Sequence, residues 1–274
     1  MGIITYFVII YIFFLFFQQN MLYCFLIKKG EFMEKIFEFN QLIRSTFISR
    51  INRYVVELQL DDASTILAHL HDPGRLTELL FENNVILIHH ITSDTRKTAY
   101  DVIAAQKGDL WVLIHSGYHR KIAESFFNFR ELLPYQNITH IKAEVKVGAS
   151  RLDFLFTTDK EEIYIEQKGC SLEINGVATF PDAPTLRGTK HLQELIHLRQ
   201  NAIRSAIFIF VFLSANHFEP NVATDPKFAA TLHQAVELGV ELHLFQFTLL
   251  YNDSTRTATL YYLDKIPYIL KTPL

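Results

Sequence analysis

The stretch RLDFLFTTDKEEIYIEQK, residues 151–168, decides the fold of the second half of the chain. Apolar and polar side chains alternate on both sides of the acidic turn at 159–161, which is typical of two neighbouring strands with one buried face. In the first strand the leucine and phenylalanine side chains face the core, so Asp153 lies on the opposite face. In the second strand Glu166 and Lys168 share a face. The pattern therefore predicts two carboxylates facing each other across neighbouring strands.

The segments around this strand pair predict an α/β sheet layered by helices. Pro134 closes the first helix, Asp225-Pro226 is a capped helix start, and Gly239 follows the end of that helix. The predicted elements are a helix at 118–133, strands at 141–147, 151–157 and 162–168, a loop at 169–187, a helix at 188–204, a strand at 205–213 that is buried on both faces, a helix from 225, and a strand at 240–251.

The first half of the chain predicts a small β-barrel of the OB type. Its predicted strands span 47–60, 64–70, 85–91, 98–105 and 110–115, with a strong turn at 71–74 and a helix-like segment at 75–80. OB barrels are common nucleic-acid platforms, although strand number alone does not specify function. We expect an OB-like domain at 33–117 and an α/β domain with a mixed sheet at 118–274.

Composition sets limits on partners and compartment. The formal net charge of −3 gives no bulk attraction to polyanions, so nucleic-acid binding requires a local cluster of Lys and Arg. The two cysteines, Cys24 and Cys170, are too few for a disulfide framework, which favours a reducing, cytoplasmic compartment.

Residues 1–32 differ in composition from the rest of the chain. They contain two apolar runs, 3–17 and 21–27, that together approach the length of a membrane-spanning helix but lack the features of a signal peptide. The codons for the segment before Met33 can spell a ribosome-binding site. We therefore expect residues 1–32 to be a non-native upstream extension, with an apolar anchor as the alternative; a membrane location is not expected.

The paired acids predict a divalent-metal site. Asp153 and Glu166 are hard oxygen ligands that suit Mg²⁺ or Mn²⁺, and Glu144 is a candidate third ligand. Such an ion activates a water and polarises a phosphoryl oxygen, while Lys168 neutralises the developing charge, so the predicted catalytic set is Asp153, Glu166 and Lys168. The alternative is that these are solvated charges on a surface strand.

The loop FPDAPTLRGTKH, residues 180–191, follows the acid pair and supports the phosphate interpretation. Arg187 and Lys190 at the start of a helix form a plausible phosphate-binding corner; the alternative is an ordinary capped loop. Arg50, Arg53 and Arg75 are the candidate nucleic-acid contacts of the first half, with scattered solvated charges as the alternative. His69 and His71 share a strand face but show no third metal ligand, which favours surface histidines.

Five segments resemble the sugar fermentation stimulation protein A (SfsA) family. They are SRINRYVVEL (49–58), HDPGRLTELL (71–80), SRLDF (150–154), YIEQKGCSL (164–172) and FPDAPTLRGTKHLQEL (180–195), and the resemblance runs from about residue 44 to about residue 246.

The resemblance implies an OB-like domain followed by a domain of the PD-(D/E)xK nuclease type, in a bacterial cytoplasmic DNA-binding protein linked to the regulation of sugar utilisation. It places the metal-site acid at Asp153 and the E-x-K pair at Glu166 and Lys168, whereas the literal Pro181-Asp182 is not the motif's acid half. This chain departs from the family pattern at Gln167, where a Val is usual, and at Gly169, where a Ser is usual.

Two hypotheses of function remain open. One is a DNA-binding protein with a metal-dependent nuclease site, and the other is a non-catalytic regulator that uses the same scaffold to hold DNA. No small-molecule cofactor is expected in either, and the sequence gives no oligomeric state.

Overall fold

The computed structural model describes residues 33–93, 95–148 and 150–270. The first half contains β1 (Glu34–Phe39), β2 (Leu42–Asn52), β3 (Val55–Gln59), β4 (Thr65–His69), β5 (Val85–His90), β6 (Tyr100–Lys107) and β7 (Leu110–Leu113). The second half contains α1 (His119–Phe126), β8 (Ile138–Val147), β9 (Ser150–Thr158), β10 (Glu162–Cys170), β11 (Leu172–Ile174), β12 (Val177–Phe180), α2 (Leu186–Gln200), β13 (Arg204–Val211), β14 (His217–Pro220), α3 (Pro226–Glu237), β15 (Glu241–Asn252) and β16 (Thr257–Lys265). No helix within these ranges is long and apolar enough to cross a membrane.

The first half closes into a barrel. β3, β2, β5 and β6 follow one another by antiparallel pairing, and β4 pairs with β3 on one side and with β6, in parallel, on the other. Closing the five strands β2–β6 leaves few unpaired edge groups. The predicted OB-like barrel is confirmed.

The second half is a mixed sheet that continues from the barrel. Its strand order is β7-β15-β13-β10-β9-β8, with β10, β13 and β15 parallel and with β16 joining β15 to β1. Every residue of β13 after Arg204 is buried, as predicted for a strand covered on both faces. Ile207 and Ile209 pack in the cluster that contains the apolar residues of α2 and α3, and Phe208 and Phe210 pack in the cluster that contains those of α1.

Both hydrophobic clusters cross the boundary between the two halves. One joins Val56 and Leu58 of the barrel to Leu195 of α2, and the other joins Ile103 of β6 to Phe154 of β9. The described chain from Lys35 onward accordingly belongs to one compact unit. Three short strands, β11, β12 and β14, form a separate small sheet. The proposed extension or anchor, residues 1–32, lies outside the described residues.

Several predicted elements were wrong in detail. The single strand predicted at 47–60 is a hairpin, because the Asn52 side chain accepts a hydrogen bond from the Tyr54 amide at 2.9 Å and turns the chain between β2 and β3. The helix predicted at 75–80 is a series of turns in which Leu76 has a φ of 51°. The helix predicted at 118–133 ends at Phe126, and the predicted loop at 169–187 contains β11 and β12.

Candidate metal centre

Asp153 and the 166–168 segment lie together on the neighbouring strands β9 and β10 of the mixed sheet. β9 and β10 are antiparallel, with Phe154 paired to Ile165, so Asp153 lies beside the next residues of β10. Its Oδ2 accepts a hydrogen bond from the backbone amide of Gln167 at 2.7 Å. The strand pairing therefore brings together the two acids that alternation predicts.

Glu166 is almost completely enclosed, since its side chain is 1% exposed. One carboxylate oxygen, Oε1, contacts both the Lys168 ammonium and the His191 Nδ1. The other oxygen, Oε2, is buried and has no hydrogen-bond partner among the described residues. A buried carboxylate oxygen without a partner is costly, and a cation would satisfy it.

The two acids differ in electrostatic surroundings. Burial raises the pKa of Asp153, and the neighbouring charge of Glu166 raises it further. Burial also acts to raise the pKa of Glu166, but Lys168 and His191 outweigh it and hold that pKa below its ordinary value. The repulsion between the two carboxylates is the interaction that a bound divalent cation relieves. The donor set thus fits Mg²⁺ or Mn²⁺, both of which prefer carboxylate and water oxygens.

His191 is a site residue for which the sequence predicts no role. Its side chain is buried one turn into α2, four residues after Arg187, and the Arg187 Nε lies 3.5 Å from its Nε2. Residues four apart lie on the same face of a helix, so the spacing of Arg187 and His191 is the sequence feature that indicates a shared position near the site. Through Glu166, His191 connects α2 to the strand that carries the acids.

The start of α2 is held by two side chains. Thr185 caps the helix by accepting from the Gly188 amide at 3.0 Å, and Asp225 of the α3 cap accepts from the Thr185 amide at 2.8 Å. Arg187 and Lys190 remain exposed on this first part of the helix. The phosphate-binding corner formed by these two side chains stays a prediction.

Glu144 lies on β8 between the residues that pair with Phe154 and Leu152, the two neighbours of Asp153. Its φ is 55°, and its half-exposed carboxylate accepts from Arg120 at 2.8 Å and from Arg151 at 3.0 Å. The contacts made by Glu144 in the described structure are thus with arginines, not with Asp153 or Glu166.

The three arginines predicted for the first half have different surroundings. Arg50 donates to the backbone oxygens of Gly74 at 2.8 Å and Arg75 at 2.7 Å, and it also reaches the carbonyls at 52 and 53, so its guanidinium holds the turn after β4. Arg53 donates to the Pro73 carbonyl at 3.2 Å but is otherwise exposed. Arg75 has an exposed side chain.

The turn held by Arg50 packs against the loop before α2. A Cβ added to Gly74 would lie 1.8 Å from Oδ2 of Asp182, so the carboxylate occupies the space beside that glycine. The two motif segments at 71–80 and 180–195 are therefore in contact. Asp182 thus lies against this turn. The described contacts of Glu166 are with Lys168 and His191 and do not include Asp182.

His119 is a second residue that sequence reasoning missed. Its ring stacks on Phe212 at 5.1 Å, and a Cβ at Gly169 would lie 2.2 Å from its Cε1. Burial, with the nearby positive groups, lowers the pKa of His119 to about 3, so the ring is neutral. The close approach explains a glycine directly after Lys168. Gln167 is buried on the packed face as expected, with its Nε2 unpartnered among the described residues.

Family models match both halves of the chain. The SfsA N-terminal OB domain matches residues 48–114, and the sugar fermentation stimulation protein RE domain matches residues 117–252. The sugar fermentation stimulation protein homolog of Thermosipho melanesiensis is 42% identical over 79% of this chain and 92% of its own length. The homolog of Sulfolobus acidocaldarius is 46% identical over 74% of this chain and 82% of its own length. Archaeal proteins are thus among the relatives, which extends the family beyond the bacteria that the resemblance implied.

A solved structure shows the same fold. The structure of Pyrococcus furiosus SfsA in complex with Ca²⁺ matches with a TM-score of 0.77 and 28% identity, and the match covers 86% of this chain and 99% of that protein. Together with the two family models, these similarities show that the chain belongs to the sugar fermentation stimulation protein family.

Proposed function

We propose that the chain is a DNA-binding protein with a divalent-metal site of the PD-(D/E)xK nuclease type, which hydrolyses phosphodiesters. The observation that supports this most directly is the unpartnered, buried Glu166 Oε2 beside Asp153. The Ca²⁺ complex of the Pyrococcus furiosus relative adds support for a divalent ion, and the family name supports a link to sugar utilisation.

Asp153 and Glu166 would hold a Mg²⁺ or Mn²⁺ ion, which supplies Lewis acidity toward a phosphoryl oxygen and an acidified water. Lys168, whose side chain is 18% exposed, places a positive charge next to the acids, where it stabilises charge that develops on the phosphate. His191 holds the same oxygen of the Glu166 carboxylate that Lys168 contacts. Arg187 and Lys190 would bind the flanking phosphates from the first part of α2.

A cleavage assay tests this function. The full chain is incubated with single-stranded DNA, double-stranded DNA or RNA and with Mg²⁺, Mn²⁺ or Ca²⁺. We expect metal-dependent cleavage that falls by about 100- to 1,000-fold in Asp153→Asn, Glu166→Gln and Lys168→Met. Glu162→Gln is the matched control, because Glu162 is an exposed residue on the same strand. Equal cleavage by Glu166→Gln and the parent chain would assign the activity to another site or to a contaminant.

The same preparations distinguish the nuclease function from a second candidate function, that of a non-catalytic DNA-binding regulator. It is favoured by the Glu166 Oε1 contacts, because the Lys168 ammonium already places a positive charge on that oxygen and the His191 Nδ1 contacts the same oxygen without an ion. In that case DNA binds with a steep salt dependence and is not cut with any of the three metals. Arg187→Ala should then lower the slope of log affinity against log salt by about 1.

A further inference from the structure

Three side chains from different segments of the first half come together in space. In sequence all three lie well before Asp153 and Glu166. His71 follows β4, Asp101 lies on β6 and His115 follows β7, and one ligand atom from each lies within 4.8 Å of the others. The His71 Nε2 is 3.2 Å from Asp101 Oδ1, and the His115 Nε2 is 3.8 Å from Asp101 Oδ2. The sequence places His71 on a strand face without a third ligand; the barrel supplies Asp101 and His115.

The cluster is enclosed rather than solvated. The Asp101 side chain is 9% exposed and the His115 side chain is 6% exposed, while His71, at 29%, forms its outer side. The rings of His71 and His115 stack at 3.8 Å with an interplanar angle of 21°, so both present Nε2 to the same carboxylate. Tetrahedral Zn²⁺ sites with bonds of about 2.1 Å separate their ligand atoms by about 3.4 Å, close to the two distances from the histidines to Asp101. Two imidazoles on one such ion have ring centroids about 5 Å apart, so binding also requires the stacked rings of His71 and His115 to spread from 3.8 Å.

Two ring nitrogens in the cluster are unsatisfied. The His71 Nε2 and the His115 Nδ1 are both buried and have no hydrogen-bond partner among the described residues. The His71 Nε2 faces Asp101 at 3.2 Å but is not aligned to donate to it, and a cation between this nitrogen and the carboxylate would satisfy it. The His115 Nδ1 lies on the other side of its ring from the Nε2 that faces Asp101, so this nitrogen would need a separate partner.

Arg96 is the competing cation, since its guanidinium donates to both oxygens of Asp101. A carboxylate has about four acceptor directions, so two bonds from Arg96 leave room for another partner. Carboxylates that bind metals are commonly hydrogen-bonded in turn by an outer side chain. Arg96 fits that outer position at the Asp101 carboxylate.

We propose that His71, Asp101 and His115 form a second metal site, which takes a divalent transition ion of the Zn²⁺ class. Two imidazoles and one carboxylate are a donor set for such ions and differ from the all-oxygen set that Mg²⁺ prefers. The ion ties the turn after β4 to β6 and to the end of β7. Because Arg50 holds the same turn against the loop before α2, the site fixes the barrel where it meets the second half.

Zinc binding is measured in the full chain carrying Asp153→Asn and Glu166→Gln, which removes the acid pair as a competing site. Equilibrium dialysis at micromolar free Zn²⁺ should give about one ion per chain, and Co²⁺ in place of Zn²⁺ should give visible absorption bands. Each of three substitutions is then added to this background: His71→Ala, His115→Ala and Asp101→Asn. Changing a residue that only supports a metal ligand commonly weakens metal binding by roughly 10- to 100-fold, so losing a ligand itself should weaken Zn²⁺ binding by at least that factor. His140→Ala is the matched control, since His140 is exposed and lies on β8.

Thermal unfolding is the second readout and separates loss of the site from loss of the fold. Zn²⁺ should raise the melting temperature of the background chain and of His140→Ala, and leave that of His71→Ala unchanged. The proposal is overturned if the background chain binds no Zn²⁺ at micromolar concentration, or if the three substitutions bind it as tightly as the control. Because the acid pair is absent from every sample, failure of the proposed nuclease function would not alter either result.

Discussion

At the scale of single residues, the metal centre depends on side chains that shape its surroundings without supplying the acids. His191 and Lys168 share one oxygen of Glu166, and His119 packs on the backbone directly after Lys168. The space taken by the His119 ring would otherwise hold a side chain at position 169. Gly169 and His119 thus form a matched pair, in which the small residue makes room for the large one.

Gly169→Ala should destabilise the protein, because the new methyl group would lie 2.2 Å from the His119 ring. Overpacking of this kind costs about 1–3 kcal/mol in free energy of unfolding, measured by urea denaturation. In a His119→Ala background the Gly169→Ala substitution should cost less than it does in the parent chain, since the ring that clashes is gone. Equal stability of Gly169→Ala and the parent chain would show that the ring moves aside at no cost.

At the scale of elements, hydrophobic periodicity predicts the long strands and helices of the second half. β9, β10, β13, α2, α3 and β15 lie close to their predicted positions because each has its own strong apolar pattern. The same alternation places Asp153, Glu166 and Lys168 correctly relative to one another. Local patterns decide those features without any knowledge of tertiary contacts.

Tertiary contacts decide the elements that the sequence does not predict. β11, β12 and β14 have three or four residues each and exist through pairing with one another, and β1 pairs with β16 from the far end of the described chain. The apolar spacing at 75–80 resembles a helix, yet the left-handed Leu76 and the neighbouring Asp182 loop favour turns. His119 and His191 reach the centre through helix packing, which no strand pattern encodes.

Asp225→Ala tests the connection between two elements. Asp225 caps α3 by accepting from the Phe228 amide at 2.9 Å and also holds the Thr185 amide that begins the α2 turn. Losing both bonds from a buried carboxylate should lower the free energy of unfolding by about 2–4 kcal/mol. Thr185→Ala removes the α2 cap but keeps the Asp225 contact with the backbone, so it should cost about 1 kcal/mol. Chemical denaturation of both variants gives the comparison; equal losses would mean that the link from Asp225 to Thr185 contributes nothing.

At the scale of the whole molecule, one sheet runs through both family domains. The two family models meet between residues 114 and 117, but β7 pairs with β6 of the barrel on one side and with β15 on the other. Both hydrophobic clusters also contain residues from the two halves. Neither half keeps its buried surface when it is separated from the other, and so the folding unit is larger than either family domain.

The barrel and the α/β half should therefore unfold in one cooperative transition. Trp111, the single tryptophan of the chain, lies on β7 with its ring 5.5 Å from that of Tyr251 on β15, so its fluorescence reports the junction. Far-UV circular dichroism reports the strands and helices of both halves. In urea the two signals should give the same midpoint, because coincident transitions are the mark of two-state unfolding. Trp111→Phe confirms the origin of the fluorescence, and its circular dichroism midpoint measures the cost of losing the indole. A fluorescence transition that precedes the circular dichroism transition would instead show that the junction opens first and that the two halves are stable apart.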